Sequence, residues 1–114
     1  MSMKLATREV GGVTILDLSG KITLGEGGAT LREEVRKLVA AGKTKIVLNL
    51  GEVNYIDSSG LGELVSAYTA VKNAGGELKL LNLTSKVRDL LVITKLVTVF
   101  DVKDDEASAV SSFA

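Results

Sequence analysis

The sequence contains no cysteine and no histidine. Without cysteine, neither a disulfide nor a thiolate metal site is possible, so the fold must be held by packing alone. With both residue types absent, the common general base, the soft metal ligands and the usual nucleophile pairs are missing together. We therefore expect no catalysis by this chain alone, and no cofactor or metal.

Aromatic residues are scarce and the charges balance. The chain has two Phe, two Tyr and no Trp, and its 14 Lys and Arg residues are matched by 14 Asp and Glu residues. A net charge of zero gives no long-range attraction to nucleic acid or to an anionic membrane. The low aromatic content also removes the stacking platform of a single-strand binder. We therefore expect no nucleic-acid partner.

Long apolar runs are missing as well. The first 12 residues lack the apolar core and cleavage site of a secretory signal. The best candidate for a membrane span, residues 90–100, is interrupted by Lys95 and two threonines and is shorter than the ~18 residues required. The composition predicts a cytoplasmic protein with no direct membrane insertion, folded as one domain over residues 1–114.

The rest of the chain is organised around residues 45–74. Residues 46–50 are almost continuously apolar, which predicts a strand buried on both faces that ends in a turn at Gly51. Apolar residues then recur at helical spacing, which predicts a helix over residues 59–74. The residues of this stripe are Leu61, Leu64, Val65, Tyr68 and Val71. Asp57, Ser58 and Ser59 therefore lie where the strand gives way to the helix.

The remaining patterns predict an α/β fold. Residues 4–10 and 13–18 form a hairpin around a glycine pair, with its first strand at the sheet edge. The other predicted elements are an extended piece at 21–24, a flexible glycine-rich lead-in at 25–28, a helix at 29–41, a strand at 78–83, a helix at 86–95, a strand at 97–102 and a terminal helix from 104 with Ala107, Val110 and Phe113 buried. Strand, helix and strand in succession imply parallel pairing, which puts Ser58 at the carboxyl edge of the sheet.

The strand-to-helix junction has a chemistry of its own. The first turn of a helix presents unpaired N–H groups and the positive end of the helix dipole. A phosphate on Ser58 would be attracted to these groups and repelled by the Asp57 carboxylate. Gly60 and Gly62 have no side chain, so another protein could approach closely. The alternative is that Asp57 or Ser58 only caps the helix. Spacing alone leaves both interpretations open.

Residues 56–62, Ile-Asp-Ser-Ser-Gly-Leu-Gly, resemble the signature of the STAS family, which includes the bacterial anti-sigma factor antagonists. The resemblance extends to residues 18–20, 40–42 and 78–83 and so covers nearly the whole chain. It implies a single STAS-like domain with a mixed, mostly parallel sheet of four to five strands and about four α-helices. It also implies that Ser58 is the phosphate acceptor.

The resemblance implies a partner-switching function. The unphosphorylated protein would bind an anti-sigma factor that is also a serine kinase, and would thereby release the sigma factor. Phosphorylation of Ser58 would end the binding, and a PP2C-type phosphatase would restore it. The implied partner-binding residues are Asp57, Ser59, Gly60, Leu61, Gly62 and, in the loop after the second strand, Thr23. Antagonists of the sporulation type tend to have an acidic residue where this chain has Thr23.

An alternative is an interaction module that does not depend on phosphorylation, as STAS-like domains are in stress-signalling scaffolds and transporter complexes. Such a module would bind constitutively through the surface around helix 59–74. The intact Asp57-Ser58-Ser59-Gly60 favours the antagonist, because a scaffold needs no hydroxyl at position 58.

Overall fold

The computed structural model of the protein describes residues 3–23 and 26–113. Within these residues the chain forms five strands and four α-helices. They are β1 (Lys4–Val10), β2 (Val13–Ile22), α1 (Glu26–Ala40), β3 (Lys45–Ile56), α2 (Ser58–Asn73), β4 (Glu77–Leu81), α3 (Ser85–Ile93), β5 (Asp101–Lys103) and α4 (Glu106–Ser111), with a 3₁₀ turn at Leu96–Thr98. None of the helices in the described part of the chain has the length and apolar character that a bilayer crossing requires.

The strands form one sheet in the order β1-β2-β3-β4-β5. β1 and β2 pair antiparallel as a hairpin, and the other neighbours pair parallel. The predicted α/β class, the mixed sheet and the position of the first strand at the edge are therefore confirmed. Parallel strands bring their carboxyl ends to one edge of the sheet, so the ends of β2 and β3 lie side by side.

The two faces of the sheet are covered unequally. Helices α1, α2 and α3 bury the larger core, which includes Leu31, Leu64 and Leu91. On the opposite face, the short helix α4 covers a small cluster through Ala109. The middle of β3 is buried on both sides, because Ile46 and Leu48 belong to the first core and Val47 to the second. The prediction of a doubly buried central strand is thus confirmed.

β3 is longer than predicted, because it does not turn at Gly51. Its pairing with β2 slips by one residue there: Asp17 is opposite Asn49, whereas Ser19 is opposite Glu52. The extra residue forms a β-bulge, in which the Gly51 N–H donates to the Asn49 side-chain oxygen over 3.2 Å. A bulge lets the strand bend and continue, where the sequence suggested a stop.

The glycine-rich segment is not a flexible lead-in over its whole length, since α1 already begins at Glu26. Leu24 and Gly25, which belong to the predicted extended piece and lead-in, lie outside the described residues. Gly27 and Gly28 are buried, and a Cβ on Gly27 would be 2.8 Å from the backbone oxygen of Lys21. Gly27 thus allows the first turn of α1 to pack closely against β2, and Gly28 leaves room for the Glu63 side chain of α2.

The C-terminal predictions need two corrections. The predicted strand at 97–102 is a 3₁₀ turn followed by the three-residue β5. Lys95, with φ of 65°, ends the preceding helix in a left-handed conformation and redirects the chain before Phe100 enters the core. In α4, Ala107 is exposed and Ala109 is buried, because Asp105 caps the helix and fixes which residues face the sheet.

Candidate functional site

Asp57 connects the end of β3 to the start of α2. Its backbone is extended, and its carboxylate accepts a hydrogen bond of 2.8 Å from the Gly60 N–H. Its carbonyl oxygen accepts from the Leu61 N–H over 2.9 Å. These are the two contacts of a helix N-cap, so the capping interpretation of Asp57 is confirmed. The cap fixes the backbone of the first turn and therefore the direction in which the next side chains point.

Ser58 and Ser59 follow the cap, and both are exposed, whereas Asp57 is half-buried. Ser58 is the first residue of a 16-residue helix whose first turn contains no acidic side chain. An anion at this position would be favoured by the helix dipole and by the N–H groups of the first turn. The carboxylate of the preceding residue, Asp57, would repel such an anion. The hydroxyl of Ser58 is therefore open to another protein, at a place where added negative charge changes the local electrostatics strongly.

Gly60 and Leu61 lie on the inner side of the helix. A Cβ on Gly60 would be 1.9 Å from the Ile22 carbonyl oxygen and 3.0 Å from the Ile56 side chain, and Leu61 is 5% exposed. Both residues are buried in this conformation, so their direct contact with a partner remains a prediction. They hold the start of α2 against the ends of β2 and β3.

Gly62 differs from Gly60, because it is exposed and a Cβ on it would meet nothing within 4 Å. It is three residues after Ser59 and four after Ser58, so the three residues share one side of the helix. The surface they form has no bulky side chain at its centre. This arrangement fits the prediction that Gly62 permits close approach.

Thr23 directly follows Ile22, which is paired with Ile56 in the register of β2 and β3. It is half-buried, and its carbonyl oxygen accepts a hydrogen bond of 3.2 Å from the Gly28 N–H. Thr23 and Asp57 therefore leave the sheet at the same edge. The contact of Thr23 with a partner, which the family resemblance implies, remains a prediction.

Two features of the site were not predicted from the sequence. Glu63 of α2 forms a two-point ion pair with Arg32 of α1, with N···O distances of 2.8 Å and 3.2 Å. This hydrogen bonding raises the pKa of Arg32. The pair ties α1 to α2 one residue beyond Gly62. Its partners are 31 positions apart, so helical spacing gives no signal for it.

The second feature is Tyr55, which is 44% exposed two residues before Asp57. The Lys21 ammonium lies 6.0 Å from the centre of its ring. Strict strand alternation from the buried Val53 would have placed Tyr55 inside. Only the pairing of β3 with β2 reveals that it points outward.

Within the described residues, no group of three carboxylates is placed to hold a metal ion. The arrangement around Ser58 is a surface with an accessible hydroxyl, a capped helix start and a side-chain-free position. The sequence model of the STAS domain matches residues 4–109. The chain belongs to the STAS domain family.

Three known proteins are similar to this chain along most of its length. An anti-sigma-B factor antagonist of Bacillus subtilis is 34% identical over 87 residues, which cover 76% of this STAS chain and 78% of the relative. An anti-sigma F factor antagonist of Paenibacillus polymyxa is 25% identical over 111 residues, covering 97% and 95%. The crystal structure of an anti-sigma factor antagonist from Mycobacterium paratuberculosis superposes with a TM-score of 0.82 at 20% identity, covering 97% and 93%.

Proposed function

We propose that this STAS domain is an anti-sigma factor antagonist that is switched off by phosphorylation of Ser58. The observation that carries the proposal is the exposed Ser58 hydroxyl at the start of α2, held in place by the Asp57 cap. The names of the similar curated proteins support the first half of the proposal. The chemistry of the helix start supports the second.

In the unphosphorylated form, the partner is an anti-sigma factor that is also a serine kinase. It docks on the side of α2 formed by Ser58, Ser59 and Gly62, where no large side chain keeps its backbone away. Docking occupies the anti-sigma factor and so frees the sigma factor. The same contact presents the Ser58 oxygen to the kinase, which transfers a phosphoryl group from ATP while the hydroxyl loses its proton.

Phosphorylation ends the binding through charge. The phosphate adds about −1.5 to −2 charges beside the Asp57 carboxylate, in a surface that has to be buried in the complex. A charge left uncompensated in a packed interface costs about 2 to 5 kcal/mol, or roughly 30- to 4,000-fold in affinity. One phosphate is therefore enough to separate the partners. A PP2C-type phosphatase acting on phospho-Ser58 resets the protein.

The test uses the anti-sigma kinases of the source organism, each incubated with the protein and ATP. Intact-mass analysis should show one phosphoryl group on the wild type and on the control Ser59→Ala, and none on Ser58→Ala. The same addition on Ser58→Ala would move the site elsewhere. Ser58→Asp should weaken kinase binding while leaving the circular dichroism spectrum unchanged. An undiminished affinity of Ser58→Asp would instead support a constitutive interaction module.

A further inference from the structure

The site stands at the end of a two-stranded extension of the sheet. β4 pairs with β3 only as far as Asn49, which is opposite Leu81. The next residue, Asn82, has φ of 59°, so the chain turns away from the sheet there. β3 continues to Ile56 paired with β2 alone. Side chains on this extension therefore have fewer neighbours than those in the body of the sheet.

A second bulge lies within the extension. Gly20 of β2 is opposite Val53, but the next residue, Lys21, is opposite Tyr55, so Asn54 is the extra residue on β3. A bulge redirects the side chains that follow it to the other face of the strand. As a result Val53 and Ile56, three positions apart, both enter the same core, at 0% and 8% exposure.

The bulge also turns Tyr55 outward. The extension thus has a structural irregularity whose effect is to expose an aromatic ring three positions before Ser58, the proposed phosphate acceptor. The other tyrosine, Tyr68, packs edge to face against Phe100 with ring centres 5.4 Å apart. Bulges occur preferentially next to functional sites, where they re-aim a side chain. Tyrosine is also enriched among the residues that dominate binding energies, because it buries a large rigid ring at small entropic cost.

From this geometry we infer that Tyr55 is the aromatic anchor of partner binding, inserting into an apolar pocket of the anti-sigma factor while Ser58 is presented to its kinase centre. The inference rests on the proposed function and names a binding residue for the same site. Tyr55 lies two positions before the Asp57 cap, at the same carboxyl end of β3 from which the proposed docking surface begins.

Lys21 indicates the chemistry of the partner's pocket. Its ammonium lies over the exposed ring of Tyr55 and forms no ion pair with a carboxylate in the described part of the chain. A partner that encloses the ring must also accommodate this cation. We expect the partner's pocket to be apolar with a carboxylate at its rim. Burial of the Tyr55 ring would then supply affinity, and the pairing of Lys21 with that carboxylate would fix the orientation.

The first test measures the Kd of the kinase that phosphorylates the wild type. Tyr55→Ala should weaken binding by about 30-fold or more, the range of interface hot spots, and Tyr55→Phe should stay within about threefold because the ring is kept. Ile93→Ala is the matched control, since Ile93 is an apolar side chain on α3 with 76% exposure. It should bind like the wild type. Lys21→Met should weaken binding by a factor that shrinks as salt is added.

The second test needs no substitution. With only two tyrosines and no Trp in the chain, nitration can be assigned by peptide mass. Tetranitromethane should modify Tyr55 in the free protein and leave it unmodified in the complex. Tyr68, packed against Phe100, provides the internal comparison.

The outcomes separate this inference from the proposed function. Suppose that Ser58→Asp weakens binding, whereas Tyr55→Ala keeps both its affinity and its melting temperature. The inference that Tyr55 anchors the partner is then wrong, and the phosphorylation switch at Ser58 is unaffected. Equal nitration of Tyr55 in free and bound protein would overturn the anchor as well. If no kinase binds or phosphorylates the wild type, the proposed function fails and the anchor fails with it.

Discussion

Gly60 is so close to Ile22 that a Cβ atom on it would lie 1.9 Å from the Ile22 carbonyl oxygen. That oxygen belongs to the backbone at the end of β2, so it cannot move aside as a flexible side chain would. Overpacking in a core typically costs about 1 to 3 kcal/mol, occasionally more. We expect Gly60→Ala to lower the free energy of unfolding by about 3 kcal/mol or more, as measured by urea denaturation.

Gly62 supplies the matched control in the same helix. A Cβ at this position meets nothing within 4 Å, and the residue is exposed. Since alanine is favoured over glycine in a helix by roughly 1 kcal/mol, Gly62→Ala should leave the stability unchanged or raise it slightly. Equal losses of stability in the two variants would mean that the approach of α2 to β2 is not what limits position 60.

The Asp57 cap makes a separate prediction. Asp57→Ala removes the acceptor that lies 2.8 Å from the Gly60 N–H, and loss of such a cap costs about 0.5 to 2 kcal/mol. Asp57→Asn keeps an acceptor in the same place and should lie within a few tenths of a kcal/mol of the wild type. Urea denaturation measures the loss of stability, and hydrogen exchange at the Gly60 amide tests whether the loss arises from this hydrogen bond. Unaltered exchange at Gly60 in Asp57→Ala would show that the bond contributes little.

Much of this cap could be predicted from the sequence, because it depends on near neighbours. Asp-Ser-Ser before an apolar stripe of helical period indicates an N-cap at Asp57 or Ser58 whatever the rest of the fold does, and the structure assigns it to Asp57. The sheet class was also predictable, since a doubly apolar strand followed by a helix and a second apolar strand favours parallel pairing. Confirmation of both reflects information carried by residues close in sequence.

What could not be predicted depends on pairing between distant segments. The second half of β3 carries two bulges, so its buried residues Leu50, Val53 and Ile56 are three positions apart. This spacing breaks the alternation that identifies a strand, and only the register with β2 explains it. The roles of the glycines could not be predicted either, because they also depend on contacts with segments distant in sequence. A sequence shows that Gly60 lacks a side chain, but not that the Ile22 backbone occupies the space.

Asn49 fixes the first of these bulges. Its side-chain oxygen accepts from the Gly51 N–H over 3.2 Å, and its amide donates to Asp17 over 2.8 Å. Asn49→Ala removes one hydrogen-bond partner from the Gly51 N–H and one from the Asp17 carboxylate. Such a loss costs about 1 to 3 kcal/mol for buried groups and less for half-buried ones such as these. We expect a loss of about 1 kcal/mol, together with faster hydrogen exchange at the Gly51 amide. Asn54→Ala, an exposed change in the same strand, should cause neither effect.

The ion pairs of Arg8 with Asp17 and Glu106 make the stability of the fold depend on pH. Arg8 donates to Asp17 and Glu106 over 2.6 Å each, and these hydrogen bonds lower the pKa of both carboxyl groups. A carboxyl whose pKa is lower in the folded state stabilises the fold above its unfolded pKa of about 4, and this contribution disappears as the pH falls through the folded value. Glu106 starts α4, so acid should release that helix from the sheet.

The chain has no histidine, so these shifts predict a plateau of stability above about pH 5 and a decline below about pH 4. Urea midpoints measured from pH 2.5 to 7 test the shape of the curve, and proteolysis within α4 tests which element leaves first. Arg8→Gln should flatten the acid slope, because both carboxyl groups then titrate nearer their ordinary pKa. Arg88→Gln is the control, since Arg88 is 3.8 Å from the solvent-exposed Asp104, and its slope should match the wild type. If Arg8→Gln keeps the wild-type slope, other carboxylates set the acid stability of this fold.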